Sequence, residues 1–297
     1  MRPLTLNRSL ISIILILVTG LGLKAQVTNT NEVTDTLKGI FDDWTKAMTE
    51  KDLSLWQKST AKFRQIGIRN MIVSQKNKWP HELFEGPVKP PNLSSKKMAM
   101  TMVNGSTAQL VYFGKADFGI GKDIKAPEGL LFLMFIKENN YWKFSTSRFM
   151  NLSNAEEIST SAQSGDFTFL DSPQFIPPGK VPPVPKLCPL PEMVGYLEIV
   201  SIGYETRVNV AERSKHMVIN NVHKGLIIGG LKKGINPIFI ETRALNKKKK
   251  KDQDPKTHFE INVYRESDQE RKPLKLIYGT GPKKDPGNFR IIVRGDG

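Results

Sequence analysis

The segment that most constrains the fold of this 297-residue chain is a run of eight prolines between Pro173 and Pro191. Proline fixes its own φ angle and lacks a backbone N–H, so the segment is expected to be extended and to form neither a helix nor a central strand. It follows the polar stretch "SNAEEISTSAQSGD". We interpret residues 156–193 as a linker between two domains. A strap packed along one domain by the phenylalanines of this region is the alternative.

Residues 1–25 have the pattern of a secretory signal peptide. A positively charged start precedes an apolar stretch from Ser9 to Val18, and small residues follow. The apolar run of ~10–15 residues is shorter than the ~20 that a membrane-spanning helix needs. We expect cleavage after Ala25, with Gly22 or an uncleaved anchor as alternatives. The mature chain is then exported to the periplasm or the cell exterior and has no transmembrane span.

Cysteine content and net charge indicate the type of organism and the kind of partner to expect. Cys188 is the only cysteine, so no intrachain disulfide can form. Secreted eukaryotic domains often use disulfides, and their absence favours a bacterial origin. The formal net charge is +15, which favours anionic partners. Outside the cytoplasm such a partner is an anionic surface of lipid, lipopolysaccharide or acidic polysaccharide.

Residues 26–155 have the pattern of an α+β domain. Apolar residues from Val33 to Met48 recur on one face with the 3.6-residue period of a helix. The period then changes to two, and Asn104-Gly105 separates "KKMAMTMV" from "TAQLVYF", which predicts a hairpin. A second hairpin is predicted around Glu138-Asn139-Asn140. The expected order is helices first, followed by a meander of at least four strands.

This order resembles the nuclear-transport-factor-2-like (SnoaL-like) cone fold. The resemblance is carried by the Val33–Met48 helix, by "TEKDLSLW" at 49–56 and by the late strand "YWKFSTSRF". It implies a cone-like α+β domain in which helices pack on a curved antiparallel sheet and enclose a pocket. It also implies a homodimer through the cone domain, since dimers are common among such domains.

Residues 194–297 consist of short strand-like runs at regular spacing, punctuated by glycines. This pattern predicts an all-β sandwich, and it resembles generic bacterial immunoglobulin-like or jelly-roll sandwiches. In "GGLKKGINPIFIE", Asn236 is expected to hydrogen-bond the backbone of a turn. The predicted fold class is therefore a cone-like α+β domain followed by an all-β sandwich.

Two residues near the end of a predicted strand are weak catalytic candidates. Enzymes with a cone fold need an acid–base pair inside the cone. Tyr112 could donate to an oxyanion and Asp117 could abstract a proton, but residues five apart face opposite sides of a regular strand. A bulge at Gly114 would bring them together. The alternative is an edge tyrosine and a solvated aspartate.

Three tryptophans are candidates for the wall of the pocket: Trp44, Trp56 and Trp142. Their alternative role is to fill the hydrophobic core. We expect no cofactor, because the sequence has no phosphate loop, dinucleotide fingerprint or Gly-x-Ser-x-Gly motif.

No metal site is expected from the histidines. His216, His223 and His258 lie in three separate strand-like segments without cysteine partners.

The most basic segment contains five consecutive lysines: Lys247, Lys248, Lys249, Lys250 and Lys251. They are expected in a hairpin-like loop between two strands, where the simplest role is a solvated turn. Contact with an anionic surface is the alternative, and each lysine would contribute about 1 kcal/mol near such a surface. Specific nucleic-acid recognition is not expected, because aromatic residues do not interleave with the charge.

The sequence therefore favours an exported, non-catalytic binding or scaffolding protein of the bacterial cell envelope or exterior. One alternative is an enzyme or small-ligand binder that uses the cone pocket. A second alternative is a polyanion-binding adhesin that uses the lysine-rich loop.

Overall fold

A computed structural model of the chain describes residues 31–86, 90–116, 126–245, 257–267 and 274–295. The elements of the first half are α1 (Asn31–Glu50), α2 (Leu53–Ser59), α3 (Lys62–Ser74), α4 (His81–Phe84), β1 (Lys97–Asn104), β2 (Thr107–Lys115), β3 (Glu128–Glu138), β4 (Tyr141–Asn151) and α5 (Glu156–Ser164). Two 3-10 turns follow, Thr168–Asp171 and Pro173–Phe175. The elements of the second half are β5 (Gly195–Val210), β6 (Ser214–Leu226), β7 (Ile235–Ala244), β8 (His258–Glu266), β9 (Leu274–Gly279) and β10 (Asn288–Arg294).

The predicted first helix is confirmed as α1, and it extends two residues beyond the predicted range at each end. Its buried residues Leu37 and Phe41 are four positions apart, so they share the face that packs on the first sheet. Asp52 then caps α2, because its side chain accepts a hydrogen bond of 3.0 Å from the Leu55 backbone N–H. The short α1–α2 connection turns the later helices back over α1.

The first sheet is antiparallel, with the order β1-β2-β3-β4. Both predicted hairpins are confirmed. Asn104 pairs with Thr107, so the two turn residues are Gly105 and Ser106, one position later than predicted. The second turn uses Asn139 and Asn140, whose φ angles of 49° and 68° suit the type I′ turn that joins twisted strands.

The first sheet is buried on both faces. Leu110 and Leu131 belong to the hydrophobic cluster that contains α1. Phe113 and Phe132 belong to a second cluster, in which Phe175 is also buried. The ring planes of Phe132 and Phe175 are stacked, with centroids 6.0 Å apart. Burial on both faces explains why β3 is a continuous apolar run instead of an alternating one.

The segment interpreted as a linker or a strap lies along the first sheet. The side chain of Asn104 donates to the Pro177 carbonyl over 2.7 Å, and Gly179 N–H donates to Thr107 Oγ1 over 2.8 Å. Together with Phe175, these contacts fix the segment to the β1–β2 hairpin. The chain itself therefore covers the sheet face opposite α1.

The end of the strap joins α3 to the second half of the chain. Asn70 Oδ1 accepts a 3.0 Å hydrogen bond from Cys188 N–H, and Asn70 Nδ2 donates to the Lys186 carbonyl over 2.8 Å. Ser74, one turn further along α3, accepts a 2.7 Å hydrogen bond from Gly229 N–H. One helix face thus holds both the strap and a turn of the second half.

Asn70→Leu is expected to lower the free energy of unfolding by about 1–3 kcal/mol, because it leaves the buried Cys188 N–H without a partner and removes the hydrogen bond to the Lys186 carbonyl. Asn70 is 2% exposed, so water cannot replace the lost bonds. Urea unfolding measures the change. Asn77→Leu, at an exposed position beyond the same helix, is the control. Equal effects at the two positions would show that Asn70 does not hold the strap.

In the second half, all the described strands belong to one antiparallel sheet. Its order is β10-β7-β5-β8-β9, and β6 pairs with β5. β5 is the central strand: it pairs with β8 along residues 195–202 and with β7 along residues 204–210, while β6 follows almost its whole length. This pairing differs from the two separate sheets that the sandwich prediction implied.

The second sheet is curled. The rings of His216 and His223 are 5.6 Å apart, although both lie on β6 and seven residues of straight strand span about 23 Å. The bend lies at Asn220 and Gly203, which both have positive φ and are joined by a 2.9 Å hydrogen bond from Gly203 N–H to Asn220 Oδ1. The two ends of β5 therefore face each other across one shared core, which includes Ile199 and Val208.

The expected backbone contacts of Asn236 are confirmed. Its Oδ1 accepts from Lys232 N–H over 2.8 Å, and its Nδ2 donates to the carbonyls of Lys232 and Gly234 over 2.9 and 3.0 Å. The asparagine closes the turn before β7.

Within the described ranges, no helix is long and apolar enough to cross a bilayer.

Candidate functional site

A cavity lies in the first half, between helices α1–α4 and strand β4, with a volume of about 420 Å³. This volume falls within the ~300–1,000 Å³ of typical small-molecule sites. The cavity forms because the α2–α3 connection is hydrogen-bonded to the edge of β4. Thr60 forms a parallel bridge with Phe144, and Ala61 N–H donates to the Phe144 carbonyl over 2.8 Å. The helices therefore lean over the sheet at one end and leave a gap.

The wall of the cavity is mainly apolar and aromatic. Trp44 packs against Phe144 with ring centroids 4.5 Å apart, and Trp56 packs edge-on against Trp79 at 5.8 Å. Aliphatic side chains complete the wall: Met48, Ile68, Ile72 and Leu83. Such a surface favours a ligand with an apolar body.

Polar groups interrupt this apolar wall at a few positions. Arg64, in the first turn of α3, is an exposed residue that forms no ion pair with any described residue, and partial burial of its guanidinium lowers the pKa of that group. Thr60 is also in the lining, but its hydroxyl oxygen is inaccessible and has no hydrogen-bond partner, so it is shielded from the cavity. The buried Ser145 makes no side-chain hydrogen bond within the described part of the chain. Glu82 is also in the lining, and its carboxylate lies 3.5 Å from His81 Nδ1.

Two of the three tryptophan candidates lie at the cavity. Trp44 and Trp56 form part of its wall, and Trp56 is also buried among the helices. Trp142 does not line the cavity. It packs at the edge of the α1 cluster, with the ammonium group of Lys137 5.7 Å from its ring centroid.

The structure places Tyr112 away from the cavity. Tyr112 is buried in the α1 cluster and does not line the cavity. Burial raises its pKa to about 12, and the charge of Asp42 adds to the shift, so the phenol stays neutral at neutral pH. The bulge considered at Gly114 is absent, because Gly114 pairs with Gly129 in unbroken register. Asp117, its proposed partner, lies outside the described residues.

The histidines do not form a metal site among the described residues. His216 and His223 approach each other through the curl of the second sheet, and His216 Nε2 lies 2.8 Å from Ser214 Oγ. No group of three or more His, Cys, Asp or Glu side chains with metal-binding geometry occurs in the described ranges.

The five lysines from Lys247 to Lys251 lie outside the described residues, but their flanking strands correct the prediction of a hairpin-like loop. β7 and β8 do not pair with each other, since both pair with β5. Leu245 N–H, just after β7, donates to the Gly203 carbonyl over 3.0 Å at the bend of β5. The lysine segment therefore connects two strands that follow each other along β5, because Ala244 pairs with Tyr204 and His258 pairs with Ile202 on either side of the bend.

Sequence reasoning missed Arg64, Thr60 and Ser145 as lining residues. The pairing that brings Thr60 beside β4 joins residues 84 positions apart, and no local pattern indicates it. No local pattern marks Arg64 as a lining residue either.

Comparison of the chain with protein-family models, with curated proteins and with solved structures finds no match. The chemistry of the site therefore follows from its own lining: an apolar cavity whose polar side chains include Arg64, Glu82 and Ser145.

Proposed function

We propose that the chain is an exported, non-catalytic protein that binds a small apolar molecule in the cavity between α1–α4 and β4. One observation carries this proposal: a cavity of about 420 Å³ whose wall combines Trp44, Trp56 and Phe144 with a few polar side chains. Aromatic walls with a few polar groups are the usual composition of small-molecule sites. Export is supported by the signal-peptide pattern of residues 1–25.

Binding is favoured over catalysis by the groups in the lining. Acid–base catalysis needs a titratable group whose pKa lies near the working pH and which reaches the ligand. Arg64 keeps its proton at neutral pH, and Glu82, the acidic residue in the described lining, faces His81. The described lining therefore provides contacts for a ligand and no acid–base pair.

The domain arrangement that fits this proposal is a cone-like α+β unit followed by a β-sandwich-like unit. The long α1 on a four-stranded antiparallel sheet supports the first, and the single core inside the curled second sheet supports the other. The strap and the α3 contacts to Cys188 and Gly229 join the two units. The second unit then serves as a scaffold for the first.

Adhesion to a polyanion through the lysine segment is an alternative that rests on the sequence alone.

Gly86→Phe is expected to weaken binding of the neutral fluorescent probe N-phenyl-1-naphthylamine by about tenfold or more, because a side chain there would occupy the cavity. Gly86 lines the cavity, and a Cβ at this position would meet nothing within 4 Å. The substitution therefore fills space without a clash in the backbone. Fluorescence titration of the mature protein measures the affinity.

Gly39→Phe is the matched control for this experiment. Gly39 lies on the exposed side of α1, and a Cβ there also has open space around it. We expect the control to bind the probe as the wild type does. Equal binding by both variants, or no binding by the wild type, would overturn the proposed function.

A further inference from the structure

We propose that His216 and His223 form a pH-sensitive latch of the second sheet. While they are neutral, the two imidazoles pack together and the two ends of β6 stay close. Protonation of both rings drives these ends apart. The latch lies in the second half of the chain, so it does not depend on what the cavity binds.

The contact of the two rings follows from the bend in β6. Seven residues separate the two histidines along the strand, yet their ring centroids are 5.6 Å apart. Both rings converge on Gly225, where a Cβ would lie 2.6 Å from His223 Nε2 and 3.3 Å from His216 Cε1. The glycine therefore leaves the space that the rings occupy. A change that separates the rings also separates the two ends of β6.

The hydrogen bond between His216 and Ser214 assigns the tautomer of the ring. Ser214 is 0% exposed, and its Oγ lies 2.8 Å from His216 Nε2. The same oxygen accepts a 3.0 Å hydrogen bond from the Ile228 N–H. Among the described residues, His216 Nε2 is the one acceptor for the hydroxyl proton. The hydroxyl therefore donates to Nε2, which requires that this nitrogen carry no proton.

The surroundings of His216 oppose its protonation. Burial lowers the pKa of its imidazole from the ordinary value of 6.5, and the charge of His223 lowers this pKa further. On β5, the residues paired with the two histidines are Val208 and Ile199, which carry no charge. Residues 227–230, which follow β6, carry none either.

Other charged side chains near the pair do not face it. Those next to a histidine along β6 extend from the opposite face of the strand, because successive side chains alternate. Those of the turn before β6 are exposed, and those of a groove that His216 also lines have ionic partners of their own. The side chains in these three groups are Lys215 and Lys224 on β6, Glu212 and Arg213 in the turn, and Arg207 and Glu241 in the groove, paired with Glu205 and Arg243.

The stability that the latch provides is expected to fall with pH. The pKa of His216 in the folded protein lies below its value in the unfolded chain, so the unfolded chain binds more protons at acidic pH. The stabilisation is complete above pH 6.5 and is lost as the pH falls from 6.5 through the pKa of the folded protein. Protonation removes the acceptor of the Ser214 hydroxyl and places two like charges side by side.

One turn connects the latch to the first half of the chain. Ile228 N–H donates to Ser214 Oγ, and the N–H of the next residue, Gly229, donates to Ser74 Oγ of α3 over 2.7 Å. Opening of the latch therefore loosens the turn that contacts α3.

His216→Gln tests the latch, because the amide oxygen of glutamine still accepts from the Ser214 hydroxyl but does not titrate. Urea unfolding of the full chain, followed by far-ultraviolet circular dichroism, compares the proteins at about pH 7.5 and about pH 5.5, on either side of the histidine range. We expect a lower urea midpoint for the wild type at the acidic pH and a smaller change for His216→Gln. His81→Gln, which removes an exposed histidine of α4, is the control and should keep the full pH dependence. Equal pH dependence of the wild type and His216→Gln would overturn the proposal.

NMR titration of the imidazole protons measures the interaction of the two rings. Histidine-to-glutamine variants assign the signals. We expect His223→Gln to raise the pKa of His216, because it removes the like charge, and His81→Gln to leave this pKa unchanged. A His216 pKa that does not respond to His223→Gln would show that the rings do not act as a pair.

Amide hydrogen exchange shows whether protonation opens the strand. Protection factors, which correct for the intrinsic pH dependence of exchange, are expected to fall severalfold in β6 and at Ile228 when the pH is lowered through the histidine range. Those of β2 and β3 in the first sheet should not change, and the loss in β6 should be smaller in His216→Gln. Unchanged protection of β6 in the wild type would contradict the proposal.

Discussion

Gly230→Ala is expected to lower the free energy of unfolding by about 2–5 kcal/mol, one of the two largest effects of any substitution considered. Gly230 has φ +62°, a left-handed conformation that costs other residues roughly 1–2 kcal/mol. A Cβ there would also overlap Pro191 and the Met193 carbonyl oxygen. Overpacking of this kind costs about 1–3 kcal/mol. The clash would open the bridge between Met193 and Leu231, where the strap enters the second sheet.

Gly281→Ala is the control that separates backbone strain from steric overlap. Gly281 has φ +63°, nearly the same as Gly230, but a Cβ there would meet nothing within 4 Å. We expect this control to lose only the roughly 1–2 kcal/mol of backbone strain. Urea unfolding monitored by tryptophan fluorescence compares the variants. Equal losses would show that the strap does not press against Gly230.

Phe132→Ala is expected to cost about 3–5 kcal/mol, the usual effect of removing a fully buried phenylalanine. Phe132 is 0% exposed and lies on the central strand β3. Its ring stacks on Phe175 of the strap, and the Arg148 guanidinium lies 4.9 Å from its centroid. The cavity left by alanine could not be filled from solvent, because the strap covers the site.

Phe239→Ala is the control, since Phe239 is 47% exposed and its removal should cost about 1 kcal/mol or less. A double-mutant cycle between Phe132 and Phe175 adds a direct test of the strap. We expect a coupling of about 0.5–1.5 kcal/mol, the range for aromatic pairs. A coupling of zero would mean that the strap does not pack on this face in solution.

Local patterns predicted α1 and the two hairpins of the first half, but not α5, which lies in the segment interpreted as a linker. The apolar period from Val33 to Met48 predicted α1, because only one face of that helix is buried. The change to a two-residue period and the Asn-Gly and Asn-Asn pairs predicted both hairpins. These features depend on neighbours in the chain, so the sequence displays them directly.

The pairing of strands that are distant in sequence could not be predicted from local patterns. Runs such as "GYLEIVSIGYETRVNV" predicted strands correctly but not that β5 would bend at Gly203 and pair with β7 and β8 in turn. The lysine segment was therefore wrongly placed in a hairpin. The proline-rich segment allowed both a linker and a strap, because its packing depends on Gln109 and Thr107, side chains of a distant hairpin.

The site was only partly predictable for the same reason. The tryptophans of the cavity were noticed because large aromatic residues are few, and Trp44 and Trp56 do line it. Arg64 and Thr60 carry no motif, and they reach the lining only because the helices pack against β4.

The most direct test of the central proposal is NMR of the protein labelled with ¹³C at the methionine methyl groups, recorded with and without N-phenyl-1-naphthylamine. Met48 and Met71 line the cavity, while Met217 lies on β6 of the second sheet. Methionine-to-leucine variants assign the signals. A binding site in the cavity predicts that the Met48 and Met71 signals shift and that the Met217 signal does not. Binding of the probe without any change at Met48 and Met71 would contradict it.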